Sequence, residues 1–191
     1  MNIASFLMGS SELMMAIVTD PDEVTQLLEV TTDFLLDWIA LQIEAFPSID
    51  GVFLLDDLVG FVGEDDFQKF ALPYLKKVYD AFDVKVKFFH NDAAGLITAK
   101  HLPEIGVNLF NFSHDHSLTE IRDLAGDGVT MLGNIPPRDV LARGTTEDVR
   151  RSVRDAVQPL DDMSRLILSC GGGMPPGVST ENVQAMLDAR R

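Results

Sequence analysis

Residues 128–157 read GVTMLGNIPPRDVLARGTTEDVRRSVRDAV, and this stretch decides the fold. Residues 129–133 (VTMLG) form a short apolar run bounded by glycine, as a strand buried in a parallel sheet requires. Asn134 and the paired prolines Pro136 and Pro137 mark a turn at its end. Residues 146–158 then read as a helix. Strand, polar turn and helix together make one βα unit.

The same unit recurs on both sides. Downstream, residues 166–170 (LILSC) run into Gly171-Gly172-Gly173, and a helix follows over 179–190. That helix opens on Ser179-Thr180-Glu181-Asn182, a capping region, and ends in Arg190-Arg191, whose charge suits a helix C-terminus. Upstream, strands are expected at 107–112 (VNLFNF), 84–90 (VKVKFFH) and 52–56 (VFLLD), with helices at 117–125, 93–102 and 66–82. The alternation of Lys85 and Lys87 with valines predicts partial exposure of the 84–90 strand. A longer helix is predicted over 21–46, with Asp20 as N-cap and Pro21 in the first position. Its apolar set is Leu27, Leu28, Val30, Phe34, Leu35, Trp38, Ile39 and Leu41.

Five strand–helix alternations imply an α/β fold with a parallel sheet, either open and doubly wound or part of a closed barrel. Polar residues follow nearly every strand: Asp56-Asp57, His90-Asn91-Asp92, Asn111 to His116, Asn134 and Cys170-Gly171. Both architectures carry their chemistry at the C-terminal ends of the strands. No GxGxxG follows a strand, and the triple glycine lacks the lysine of a phosphate-binding loop. A nucleotide site is therefore not supported.

Composition narrows the partners. The chain is 46% hydrophobic and 24% charged over 191 residues, a balance typical of a globular protein. A net charge of −15 argues against nucleic acid and against anionic membrane surfaces. No apolar run reaches the ~20 residues of a membrane span, and the first fifteen residues lack a signal peptide's basic start. One cysteine, Cys170, fits a reducing compartment, so a cytoplasmic protein is expected.

The C-terminal half resembles a known family. Gly133-Asn134-Ile135-Pro136-Pro137, then Val140-Leu141, Gly144-Thr145 and Glu147-Asp148-Val149, is similar to a stretch of the uroporphyrinogen decarboxylase superfamily. Cys170-Gly171-Gly172-Gly173-Met174-Pro175-Pro176, with Glu181-Asn182-Val183 and Met186, resembles its last strand and final helix. Asp20-Pro21-Asp22-Glu23-Val24, Asp56-Asp57 and Phe67-Gln68-Lys69-Phe70 also fit, so the likeness spans nearly the whole chain. It implies a partial (β/α)8 TIM barrel: one domain over residues 1–191 holding about strands 4 to 8, with the N-terminal strands missing. Two activities occur in the superfamily. True uroporphyrinogen decarboxylases remove acetate carboxyl groups from a tetrapyrrole without a cofactor. Zinc-dependent methyltransferases exchange methyl groups with a corrinoid protein or a thiol.

In the methyltransferase branch the resemblance implies zinc held by a His-x-Cys pair and a later cysteine. Here the pair reads His90-Asn91-Asp92, and Gly172 stands at the usual cysteine position with Cys170 two residues before it. The implied metal set is His90, Asp92 and Cys170, a zinc ion that would turn an acceptor thiol into a thiolate. Catalytic roles are expected for Asp56, Asp57 and His90, and substrate contacts for Asn111, His114 and Asn134. Each has a plainer alternative: a structural histidine at His90, a helix cap at Asp92, a buried small side chain at Cys170, a turn residue at Asn134. His116 is a further candidate, since it shares a side with His114 if the segment stays extended. His101 is assigned to a surface helix without a role, and Met8, Met14 and Met15 to core or interface packing.

The expected function is methyl transfer between a small substrate and a corrinoid protein or thiol. Uroporphyrinogen decarboxylation is the alternative; the family's arginine-rich N-terminal segment is absent, and the decarboxylase histidine slot is also Gly172. It would lean on a partner's arginines, with Arg122, Arg138 and Arg143 the few basic residues near the strand ends. A third reading is an inactive fragment, or a subunit that completes another chain. Self-association, or a partner chain supplying the missing barrel half, is expected because an open sheet edge invites pairing.

Overall fold

A computed structural model of the chain describes residues 1–189. Among them, five parallel strands form one sheet in sequence order. They are β1 (Gly51–Leu55), β2 (Val86–Asn91), β3 (Leu109–Phe112), β4 (Thr130–Ile135) and β5 (Leu166–Cys170). Consecutive order with helical crossovers is the wind of a (β/α) barrel, here over five strands. The fold class read from the sequence, an α/β partial barrel, is the one the structure has.

The helices are α1 (Asn2–Met8), α2 (Ser10–Thr19), α3 (Pro21–Ala45), α4 (Glu64–Phe70), α5 (Leu72–Asp80), α6 (Leu96–Ile105), α7 (Leu118–Ala125), α8 (Thr146–Val157) and α9 (Thr180–Asp188). The reading of 66–82 as one helix needs correction. Pro73 has no N–H and would crowd the carbonyl four residues back, so the chain breaks at Ala71 and restarts as α5. The turn after β4 is a π-helix, Pro137–Ala142, with Leu141 N–H bonded to the Pro136 carbonyl at 3.1 Å. Helices α1 and α2 had no expectation attached. Of their methionines, Met14 packs on the core while Met15 is exposed. Arg190 and Arg191, expected at the end of the last helix, lie outside the described residues.

Strand register separates two faces. Leu54, Phe89, Phe110, Met131 and Leu166 lie in one row, and Phe89, Phe110 and Met131 are fully buried against the helices. The adjacent row, on the opposite face, is Leu55, His90, Asn111, Leu132 and Ile167. A closed barrel would bury this second row in its interior. In this chain Phe53, Leu55 and Ile167 remain about half exposed. Phe53 stacks on Phe88 with ring centroids 4.5 Å apart. The partial exposure expected of the 84–90 strand is present at its start, Val86, and ends at Phe89.

Helix α3 buries Val24, Leu28, Thr31 and Thr32. Leu27 and Ile39 pack partly against the core, while Val30, Phe34, Trp38 and Leu41 form a stripe that stays exposed. The helical period was legible, but it covers two stripes, and this structure buries one. A second cluster at the far end joins Ile135, Leu141, Val149, Val153, Cys170 and Met186. Asn182 staples it, donating from Nδ2 to the carbonyls of Leu141 at 2.9 Å and Gly144 at 2.8 Å.

Candidate active site

The strand ends bring His90, Asp57, Asp92 and Asn111 together. His90 is the fifth residue of β2, on the face turned away from the helices, with a side chain 13% exposed. Its Nδ1 lies 2.7 Å from Asn111 Oδ1. Its Nε2 lies 3.8 Å from Asp57 Oδ1, and that same oxygen accepts from the Asp92 N–H at 2.7 Å. Asp57 therefore joins the loop after β1 to the loop after β2. Partial burial raises the pKa of Asp92 above the usual carboxylate range, against the opposing pull of His90 and His114.

The neighbouring candidates hold the site's walls. Asn91 points to the helix side, donating to Thr98 Oγ1 at 2.9 Å and accepting from Ala93 N–H at 2.9 Å. It is Asn91, then, that closes the turn before α6; the capping alternative for Asp92 is not realised, since α6 begins at Leu96 with no side-chain cap. His116 accepts the Gly95 N–H at Nε2, 3.2 Å away, and its carbonyl accepts from Asn134 Nδ2. Asn134 is buried at the end of β4 and fixes the loop after β3 rather than standing free. His114, half-exposed beside Asp115, sits against the loop after β5. A Cβ at Gly171 would come within 2.6 Å of the His114 nitrogen, so the glycine permits that approach.

Three other candidates carry their side chains to partners other than His90, although the Asp56 N–H donates to the His90 carbonyl at 3.0 Å. The buried Asp56 carboxylate accepts from the amino group of Met1, from Asn2 N–H at 3.1 Å and from Leu58 N–H at 3.2 Å. Cys170 turns to the helix side of β5, 4% exposed within the second core cluster. Burial pushes its thiol pKa up, the reverse of what a thiolate ligand needs. Arg122 is at the opposite end of the sheet, holding the carbonyls of Asp162 and Ser164 before β5. His101 corrects its surface assignment: it is buried, stacked on Phe67 and 2.7 Å from Glu64 Oε1.

The zinc set His90, Asp92 and Cys170 is not assembled. Among the described residues no three His, Cys, Asp or Glu side chains are placed to hold a metal ion. The position that carries a cysteine in the methyltransferase pattern is Gly172, at φ +75°, and the Asp92 carboxylate fills the space any side chain there would enter. One side chain has taken the room of two.

Sequence reasoning names Asn91 and Asn182 only inside longer motifs and gives neither a role, and it does not give Asn111 its orienting place. A buried asparagine carries no periodic signal; for Asn91 and Asn111 only a position at a strand end could draw attention to it, and for Asn182 only a place in the first turn of a helix.

Comparisons with known proteins agree with this architecture. Residues 1–191 match the family profile described as Uroporphyrinogen decarboxylase (URO-D). The uroporphyrinogen decarboxylase of Chloroherpeton thalassium is 27% identical over 180 residues, 90% of this chain and 49% of that protein. The human uroporphyrinogen decarboxylase is 27% identical over 181 residues, 88% of this chain and 47% of that protein. A methyltransferase from Methanosarcina mazei superimposes with a TM-score of 0.84 at 20% identity, over 99% of this chain and 55% of that one. That last likeness is one of fold. The chain spans about half the length of the relatives it matches, and it belongs to the uroporphyrinogen decarboxylase (URO-D) family.

Proposed function

We propose that the chain forms the active wall of a URO-D-family enzyme that moves a methyl group from a small substrate to a corrinoid on a partner protein, or to a thiol. The observation that carries this reading is the charge of the strand-end loops. Those after β1, β2, β3 and β5 present the carboxylates of Asp57, Asp92 and Asp115 and no lysine or arginine, while the buried Asp56 is paired with the amino group of Met1. Arg138 and Arg143 follow β4, and Arg143 faces Asp139 across 3.5 Å in the open. Such a mouth repels a polycarboxylate porphyrinogen and tolerates a neutral or cationic methyl donor.

The chemistry asked of the chain is modest. The methyl group leaves a heteroatom without its bonding electron pair, and that atom then takes up a proton unless it began as a cation. His90 Nε2 and the Asp92 carboxyl are the groups in place to exchange that proton, and Asp57 steadies both. No step is assigned to zinc. The rest of the barrel, which would cover Phe53, Leu55 and Ile167, comes in this reading from further βα units on the same or a second chain.

Decarboxylation of a porphyrinogen is the second reading, favoured by the names of the 27%-identical relatives. It requires cationic groups from outside this chain.

A His90→Gln variant tests the main reading in an assay of methylcobalamin formation from cob(I)alamin and a panel of methylated amines, alcohols and thioethers. Loss of a general acid–base group lowers the rate by about 10²–10⁴-fold. Equal rates in the variant and the parent would remove His90 from the chemistry.

A further inference from the structure

Asn111 lies in β3, 3% exposed, with its carboxamide on the His90 face. Nδ2 donates to two backbone carbonyls, Leu132 O at 2.5 Å and Cys170 O at 3.2 Å. A backbone carbonyl only accepts, so turning the amide over would set oxygen against two oxygens. The amide orientation is thus fixed by the two neighbouring strands, and Oδ1 is the atom left facing His90 Nδ1 at 2.7 Å.

That oxygen is also an acceptor only. A lone pair on Nδ1 would meet a lone pair on Oδ1, so the contact requires the proton on Nδ1. We infer that Asn111 is a positioning residue, a tautomer lock that holds neutral His90 in its Nδ1–H form and presents the Nε2 lone pair to the strand ends beside Asp57. Free imidazole side chains in water favour the other tautomer, so the lock reverses the intrinsic preference. Nδ1–H persists when the ring becomes a cation, and the bond to Asn111 survives both states. The ring therefore exchanges a proton through Nε2 alone, without turning.

The catalytic use of Nε2 rests on the proposed function; the tautomer does not, and its test reads no activity. The probe is a long-range proton–nitrogen correlation spectrum of the 15N-labelled full chain, recorded at a pH where the histidines are neutral. The chain has four histidines, and a His90→Gln variant identifies the His90 signals by their disappearance. The expected spectrum has His90 Nδ1 at a protonated-nitrogen shift and Nε2 at a lone-pair shift. The reverse assignment overturns the inference. In Asn111→Ala, checked for an unchanged circular dichroism spectrum, the signals are expected to move to the Nε2–H form or an exchange average. An unchanged Nδ1–H form in that variant also overturns it, because something else would hold the ring. Where the variant does not fold, the parent spectrum decides alone. Absent methyl transfer with an intact Nδ1–H tautomer counts against the proposed reaction and leaves the lock standing.

Discussion

Replacing Gly172 by alanine tests how the strand-end loops share space. Gly172 sits at φ +75°, and a Cβ built there falls on the Asp92 carboxylate. Two costs follow. An L-residue in the left-handed region loses about 1–2 kcal/mol relative to its ordinary backbone. The carboxylate must also swing off its preferred rotamer, at about 0.5–1.5 kcal/mol. Gly172→Ala is then expected to destabilise by about 1.5–3.5 kcal/mol in total. In an Asp92→Ala background the second cost vanishes and the first remains. The double variant should therefore be more stable than the sum of the single changes by about 0.5–1.5 kcal/mol, the size of coupling seen between touching residues. Urea unfolding of the four proteins measures it, read at the midpoint with an unchanged slope. Additivity within about 0.3–0.5 kcal/mol would refute the claim that Asp92 occupies the room of position 172.

Two further outcomes follow from particular contacts. Asn182→Ala strips a donor from the buried carbonyl of Leu141 and from the half-buried one of Gly144, and should cost about 1–3 kcal/mol in a denaturation series. Glu64 is held at a pKa of about 2, below its ordinary 4.5, first by His101 and then by Gln68 and Lys100. Its folded-state pKa is depressed, so its contribution is whole above pH 4.5 and fades as pH falls toward about 2. Glu64→Gln should flatten the fall in melting temperature across that window; a parallel fall in variant and parent would show that the contact carries no linked protonation.

The fold was legible because a buried parallel strand is a short, continuous apolar run. Residues 166–170 match β5 to the residue, and the others are displaced by one or two positions. What the pattern could not resolve was local. Pro73 cut one helix into two, and the prolines after β4 opened a π-turn. The site was legible as a place rather than as a set of roles. His90, Asp57 and Asp92 do meet at the strand ends. Cys170 faces the other way because side chains alternate along β5, and residue 170 shares the helix side with Leu168 and Leu166. Asn111 was expected to touch substrate, yet its amide is spent on two carbonyls and a histidine. Sequence spacing carries which face a residue is on only once the register is known, and the register here depends on pairs up to 35 residues apart. His101 was misassigned for a related reason: Glu64, which draws it inward, lies 37 residues away.

In the proposed function the strand-end mouth handles a methyl group and not a porphyrinogen carboxylate. One preparation of the chain, together with whatever βα units complete its barrel, should be assayed side by side for methyl transfer to cob(I)alamin and for loss of carbon dioxide from uroporphyrinogen. Methyl transfer that depends on His90 is expected, with decarboxylation no faster than in buffer. Enzymatic decarboxylation without methyl transfer would contradict it, and would place the cations that hold the substrate in the part of the barrel that this chain does not contain.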